Sequence, residues 1–127
     1  MNLLLDTHVF LWWDWADKAL NAEARALIVD PANEVLISAA SIWEIAIKRR
    51  LKKLDFSGSA VAAIGANGFH ELPILPIDAE TAGALAWLHS DPFDRMLVAQ
   101  ARRLGLTLAT ADAAVRDFAS IAQIWAG

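Results

Sequence analysis

The sequence predicts an α/β fold in which a parallel sheet carries helices on its faces. Five short apolar runs alternate with helix-like segments: "NLLL" at 2–5, "EVLIS" at 34–38, "FHELPI" at 69–74, "LTLA" at 106–109 and "SIAQI" at 120–124. That alternation is the pattern of parallel strands joined by helices. The runs themselves alternate only weakly in polarity, as strands covered on both faces do. The chain of 127 residues suits a single domain, 1–127, burying roughly two-thirds of its unfolded surface.

The elements follow in order. After the strand at 2–5, "THVFLWWDW" has helical spacing that turns Phe10, Leu11 and Trp13 toward the core. Adjacent tryptophans cannot all face one way, so Trp12 and Trp15 point elsewhere. Asn21 caps a helix that runs to Asp30 and stops at Pro31. After the strand at 34–38, Ser41 and Glu44 have the spacing of a capping box before "IWEIAIKRRL". The glycines of 52–68 allow only a short helix there. Beyond the strand at 69–74, Asp78 can cap "AETAGALAWL". Asp91, with Pro92 at the first helical position, opens a helix through "FDRMLVAQARRL" that ends at Gly105. There is no internal repeat, low-complexity segment or linker.

Composition narrows the function classes. The formal net charge is −4 and 57% of residues are hydrophobic, with a mean hydropathy of +0.37. No stretch approaches the ~20 apolar residues of a membrane span. The absence of a basic segment before "NLLLD" argues against a signal peptide. Zero cysteines exclude disulfides and thiolate metal sites, which fits a cytoplasmic protein. The apolar excess, six tryptophans included, suggests a surface that a partner covers.

Four isolated acids carry the chemistry. Asp6 and Asp112 follow strands at their carboxyl ends, where open parallel sheets form ligand sites. Asp94 lies in the first turn of a helix and Glu44 one turn into another, both able to face that edge. Each also has an ordinary explanation. Asp112 can cap "AAVRDF", Asp94 can complement the helix macrodipole for about 0.3–1 kcal/mol, and Glu44 can pair with Lys48 for about 0.3–0.5 kcal/mol. Asp6 is hardest to explain that way, because a carboxylate against a buried strand is costly without a partner. Taken together, the four would repel unless a cation neutralised them. An all-oxygen cluster selects Mg²⁺ or Mn²⁺ over zinc, which suits phosphoryl transfer or phosphodiester hydrolysis.

"LLLDTHVFLWW", "SAASIWEIAIK", "LHSDPFDRMLVAQA" and "LTLATAD" closely resemble, in order and spacing, the motifs of the PIN-domain family, and within it the VapC-type toxins of toxin–antitoxin pairs. Together they anchor essentially the whole chain. The resemblance implies a three-layer α/β/α sandwich with a central parallel sheet of four to five strands, and a Mg²⁺- or Mn²⁺-dependent endoribonuclease. By position it assigns the acidic quartet to Asp6, Glu44, Asp94 and Asp112, as metal holders and catalytic residues, leaving Asp91 as a cap. Metal-activated water would attack phosphorus in line and leave a 5′-phosphate. The resemblance further implies a VapB-like antitoxin that inhibits the enzyme, and a homodimer. Two departures stand out. The related toxins often carry glycine where "RRLKKL" has Lys52, so that loop is expected to be shaped differently. Ala111 stands where a polar or basic residue often precedes the last acid.

Supporting residues have two readings each. Thr7 and Thr110 flank acids, and their hydroxyls either bind phosphate or water or cap turns. Arg95 is either a phosphate clamp or a solvated arginine. Five of the eleven basic residues lie within Lys48–Lys53, either an RNA-tracking patch or cations suited to a helix end; Lys48 is the one nearest Glu44. His8 and His89 are expected to be hydrogen-bonded structural residues. Trp12 and Trp15 are the candidates for the antitoxin surface. The alternative functions are a PIN-like module kept only for protein binding and a Mg²⁺ phosphatase. The phosphatase chemistry needs a DxD pair, and "DTH" puts histidine at its second position.

Overall fold

The computed structural model describes residues 1–118 and 121–127. Among these, five strands form one parallel sheet: β1 (Asn2–Leu5), β2 (Glu34–Ser38), β3 (His70–Leu72), β4 (Thr107–Thr110) and β5 (Gln123–Trp125), in the order β3-β2-β1-β4-β5. β1 pairs Leu5 with Ile37 of β2 on one side and with Ala109 of β4 on the other. The chain therefore winds outward from β1 in both directions, and its topological switch point lies between β1 and β4.

Successive side chains of a strand face opposite ways. Leu3 and Leu5 enter one core with Val9, Phe10, Ile37, Ile45 and Ile64, beneath α1 (Thr7–Asp14), α2 (Ala22–Val29), α3 (Ala39–Arg50) and α4 (Ala60–Ala66). Leu4 and Leu108 enter the other with Leu97, Val98 and Ala101 of α6 (Pro92–Leu104) and Leu85 of the segment that joins it to α5 (Pro76–Ala84). A single-turn α7 (Ala113–Arg116) follows β4. This is the three-layer sandwich the sequence predicts, with both sheet faces covered.

Several boundaries differ from expectation. Asn21 caps α2 and Asp91 caps α6, with Gly105 closing it at φ +63°, as predicted. α3 instead begins at Ala39, because Ser38 ends β2 and its hydroxyl accepts from the Ala40 amide. Ser41 and Glu44 are thus inside the helix and form no capping box. Asp78 is the third residue of α5 and accepts from the Leu75 amide across the first turn. α5 stops at Ala84 rather than running to Leu88. β3 is limited to three residues and is followed by Pro73, which has no N–H to give to a ladder. The last strand lies at Gln123–Trp125 rather than 120–124, and Ser120 of that expectation falls outside the described residues. Lys52 adopts φ +58°, with the Lys53 amide reaching back to the Lys48 carbonyl at 2.8 Å. This is the helix closure that favours glycine, so the loop keeps the glycine-like turn instead of departing from it.

Candidate active site

The switch point carries Asp6 and Asp112, one beyond each of the two central strands. Asp6 is 4% exposed and is the N-cap of α1, its Oδ1 accepting from the Val9 amide at 2.9 Å. Its Oδ2 accepts from the Thr110 hydroxyl at 2.7 Å and the Ala111 amide at 3.1 Å. Burial still pushes its carboxyl above the usual range, against these three bonds. The Thr110 Oγ1 in turn accepts from the Asp112 amide at 3.1 Å. One hydroxyl therefore couples the two strand ends. Asp112 caps α7 through Oδ1, which accepts from the Ala114 amide, as the ordinary reading of this residue foresaw.

Asp94 arrives from the other layer, on the first turn of α6. Its Oδ2 lies 2.7 Å from His89 Nε2. A ring nitrogen of His89 and carboxylate oxygens of Asp94 and Asp112 all lie within 4.8 Å of one another. Burial raises the Asp94 carboxyl to about 7, the carboxylates of Asp91, Asp112 and Asp6 push it the same way, and His89 opposes them. Two carboxylates and an imidazole nitrogen this close together are donors that could hold a divalent cation. The Asp91 carboxylate is taken up by the Phe93 and Asp94 amides, so it caps the helix.

Glu44 is not part of that cluster and is bonded instead to Thr7, the residue after Asp6. The Thr7 hydroxyl lies 2.6 Å from Glu44 Oε1 and 3.0 Å from Ser41 Oγ, and Lys48 pairs with Oε2. Thr7 and Thr110 are thus spent on orienting Glu44 and Asp6. Glu44 is 5% exposed, and a lysine one turn on neutralises it, which sets it apart from Asp94.

Two supporting expectations change. Arg95 is no phosphate clamp: its five N–H donors go to the carbonyls of Ala82, Gly83, Leu85, Trp87 and His89, at 2.7–3.3 Å. His89 is hydrogen-bonded, as foreseen, but its partner is Asp94. Its signal in the sequence was its place just ahead of the Asp91 cap, in the segment that must bring α6 to the sheet edge.

A cavity of about 260 Å³ beside the acids is lined by Asp6, His8, Trp12, Ala111 and Asp112. Trp13 packs on Phe69 and donates to Asn67. Trp15 is exposed as predicted, but Trp12 is half-buried and packs against the same core cluster as Trp13, so it does not point away from the core as the sequence suggested. The basic run closes α3 and borders a larger groove of about 840 Å³ with Arg49, Lys52 and Lys53 on its wall.

A family model described as PIN domain matches residues 3–122. The chain is 30% identical over 119 residues to Ribonuclease VapC22 of Mycobacterium tuberculosis (strain ATCC 25618 / H37Rv), covering 91% of each chain. The fold matches a chain of the VapBC2 complex from Rickettsia felis, solved bound to a DNA fragment from their promoter. That match has a TM-score of 0.69 and 12% identity over 98% of each chain. It also matches Mycobacterium tuberculosis VapC20, a Sarcin-Ricin loop cleaving toxin, with a TM-score of 0.58 and 15% identity over 92% of this chain and 95% of that one. Sheet order, switch-point acids and a model spanning nearly every residue agree: the chain belongs to the PIN-domain family.

Proposed function

We propose that this chain is a metal-dependent endoribonuclease, the toxin of a toxin–antitoxin pair. The observation that carries the proposal is the cluster of His89, Asp94 and Asp112 near Asp6, where burial, reinforced by the neighbouring carboxylates, lifts the Asp94 carboxyl to about 7. The relative of 30% identity is named a ribonuclease, which supports RNA as the substrate.

Asp94, Asp112 and Asp6 would hold a divalent ion, Mg²⁺ or Mn²⁺, directly or through water, with Glu44 beside them. Bound there, the ion supplies charge neutralisation at the scissile phosphate and a more acidic water. The chain's own residues do the positioning. The Thr110 hydroxyl and the Val9 and Ala111 amides fix both oxygens of Asp6, so its orientation does not depend on a ligand. Thr7 does the same for one oxygen of Glu44. Lys48 can exchange Glu44 for a substrate phosphate, and Arg49, Lys52 and Lys53 offer a path for the RNA backbone.

The antitoxin would be a VapB-like protein, and Trp12 and Trp15 form its docking surface in this reading. Replacing both by alanine should weaken the complex at least tenfold in a titration of refolded toxin with antitoxin; unchanged affinity would remove them from that surface. A homodimer would cover further apolar side chains such as Trp43, which is 60% exposed. Among the described residues no helix is long and apolar enough to cross a membrane. The cytoplasm, where RNA and antitoxin meet, is the compartment this function requires.

The test is cleavage of end-labelled RNA by protein freed of any partner, with Mg²⁺ or Mn²⁺ against EDTA. Discrete metal-dependent cuts that vanish in Asp94→Asn are expected. No cuts from wild-type protein on total RNA, together with capture of a partner, would favour the binding-module reading.

A further inference from the structure

Arg95 stands out as the most heavily bonded side chain near the acids, and the nuclease reading leaves it without a role. Its guanidinium has five N–H donors, and each finds a backbone carbonyl. Nε donates to Ala82 at 2.9 Å, Nη1 to Trp87 at 2.7 Å and His89 at 3.0 Å, and Nη2 to Leu85 at 2.8 Å and Gly83 at 3.3 Å. Two of these carbonyls belong to the last turn of α5, whose orphan acceptors need partners and whose dipole favours a cation. The other three lie at alternate residues of the irregular segment leading to α6. The Leu88 side chain in this segment is fully exposed. The Trp87 ring stacks on Phe118 at 4.5 Å and lies 4.8 Å from the His89 ring, which holds the same segment from its outer side.

We infer that Arg95 is a positioning residue of the nuclease site, gathering the 82–89 backbone around one guanidinium so that His89 is presented to Asp94. The inference rests on the proposed nuclease function. The sequence already joins the parts: Arg95 follows Asp94 on α6, and the segment it gathers ends at the His89 that meets Asp94. The helix that carries the acid thereby also carries the device that seats the acid's partner. A lysine cannot replace it, because one ammonium has three donors on a single atom and cannot reach carbonyls spread over that span.

The experiment is a double-mutant cycle with Arg95→Lys and His89→Ala. It reads single-turnover cleavage rate, affinity for a non-cleavable oligonucleotide, and the imidazole nitrogen shifts of metal-free protein. Arg95→Lys should lower the rate 10- to 100-fold, the loss usual when a supporting hydrogen bond is removed. Oligonucleotide affinity should stay within about twofold, and the His89 signal of the Asp94 bond should disappear. The double mutant should be no slower than the slower single mutant, because Arg95 acts through His89. Additive losses, or weakened affinity at an unchanged rate, would overturn the inference and return Arg95 to phosphate binding. Should Arg95→Lys fail to fold, the wild type decides. Arg95 guanidinium protons that exchange slowly and do not shift on adding the oligonucleotide support the inference; fast exchange or a shift overturns it. Wild-type protein silent on RNA would remove the nuclease reading, while the imidazole signals would still settle whether Arg95 seats His89.

Discussion

Asp78 and Asp94 stand in the same local sentence. One is the third residue of α5 in "PID", the other the third residue of α6 in "PFD", each helix opening with proline at its first position. The two helices pack together, and both carboxylates are largely removed from water. Yet Asp78 receives the Arg103 fork, Nε to Oδ1 at 2.6 Å and Nη2 to Oδ2 at 3.0 Å, and this holds its carboxyl below the usual range. Burial, with Asp91, Asp112 and Asp6 nearby, lifts Asp94 to about 7. A buried acid with its own arginine is part of the frame. A buried acid with other acids around it and a single imidazole partner is, in the proposed reading, the one a cation would neutralise.

Removing the charge should therefore act oppositely at the two positions. Asp94→Asn is expected to lower RNA cleavage about a thousandfold, the several kcal/mol that a metal site contributes to transition-state charge. Without metal its stability should equal or exceed that of wild type, since a repelled charge is gone. Mg²⁺ should raise the wild-type melting temperature more than the mutant's. Strong destabilisation of the metal-free mutant would make Asp94 structural.

The pH dependence sharpens the same contrast. Asp94 has a folded pKa above its unfolded one. Its contribution is therefore unimpaired below about pH 4 and declines as pH rises toward 7, by up to about 4 kcal/mol. Buried Asp6 acts in the same direction. Asp78, shifted the other way, stabilises above the usual carboxylate range and loses that contribution as pH falls through its lowered pKa. Metal-free protein should thus be most stable a little above pH 4, and urea melts of Asp94→Asn should show the neutral-side decline flattened. A wild-type profile flat from pH 4 to 7 would remove the electrostatic basis of the site.

Asp78→Asn should cost about 2–3 kcal/mol, below the ~3–5 of a fully buried broken pair because Arg103 keeps partial access to water. Cleavage per folded molecule should be retained, measured as activity normalised to native fraction. A loss of cleavage with stability intact would erase the distinction between the two aspartates.

This pair also marks where sequence reading reaches its limit. The sheet, its helices and the Asn21, Asp91 and Gly105 boundaries were legible because turn chemistry and apolar spacing are local. The approach of Asp94 and Asp112 to one another was legible because strand ends and helix starts confine where a side chain can go. Partnership was not. Nothing in "PID" announces Arg103, 25 residues on, and nothing in "FDR" shows Arg95 turning back to five carbonyls. Ser41 was misread for the same reason: its spacing to Glu44 suits a capping box, but Ser38 lies nearer the true helix start and Thr7 claims both side chains.

The backbone offers the same comparison on a smaller scale. Gly105 and Lys52 end α6 and α3 in the left-handed region, at φ +63° and +58°. Glycine takes that conformation freely, whereas an L-residue loses roughly 1–2 kcal/mol there. Replacing Lys52 with glycine relieves this strain but also loosens the unfolded chain, which returns about 0.4–1 kcal/mol. The expected net gain is about 0.5 kcal/mol, seen as a melting temperature raised by a few degrees. Because Lys52 borders the basic groove, the same substitution should weaken RNA binding and reduce its salt dependence by about one phosphate contact. A gain in stability with unchanged affinity would mean that the lysine holds a strained turn without touching RNA; a loss of stability would show that its side chain contributes more to the fold than the turn costs.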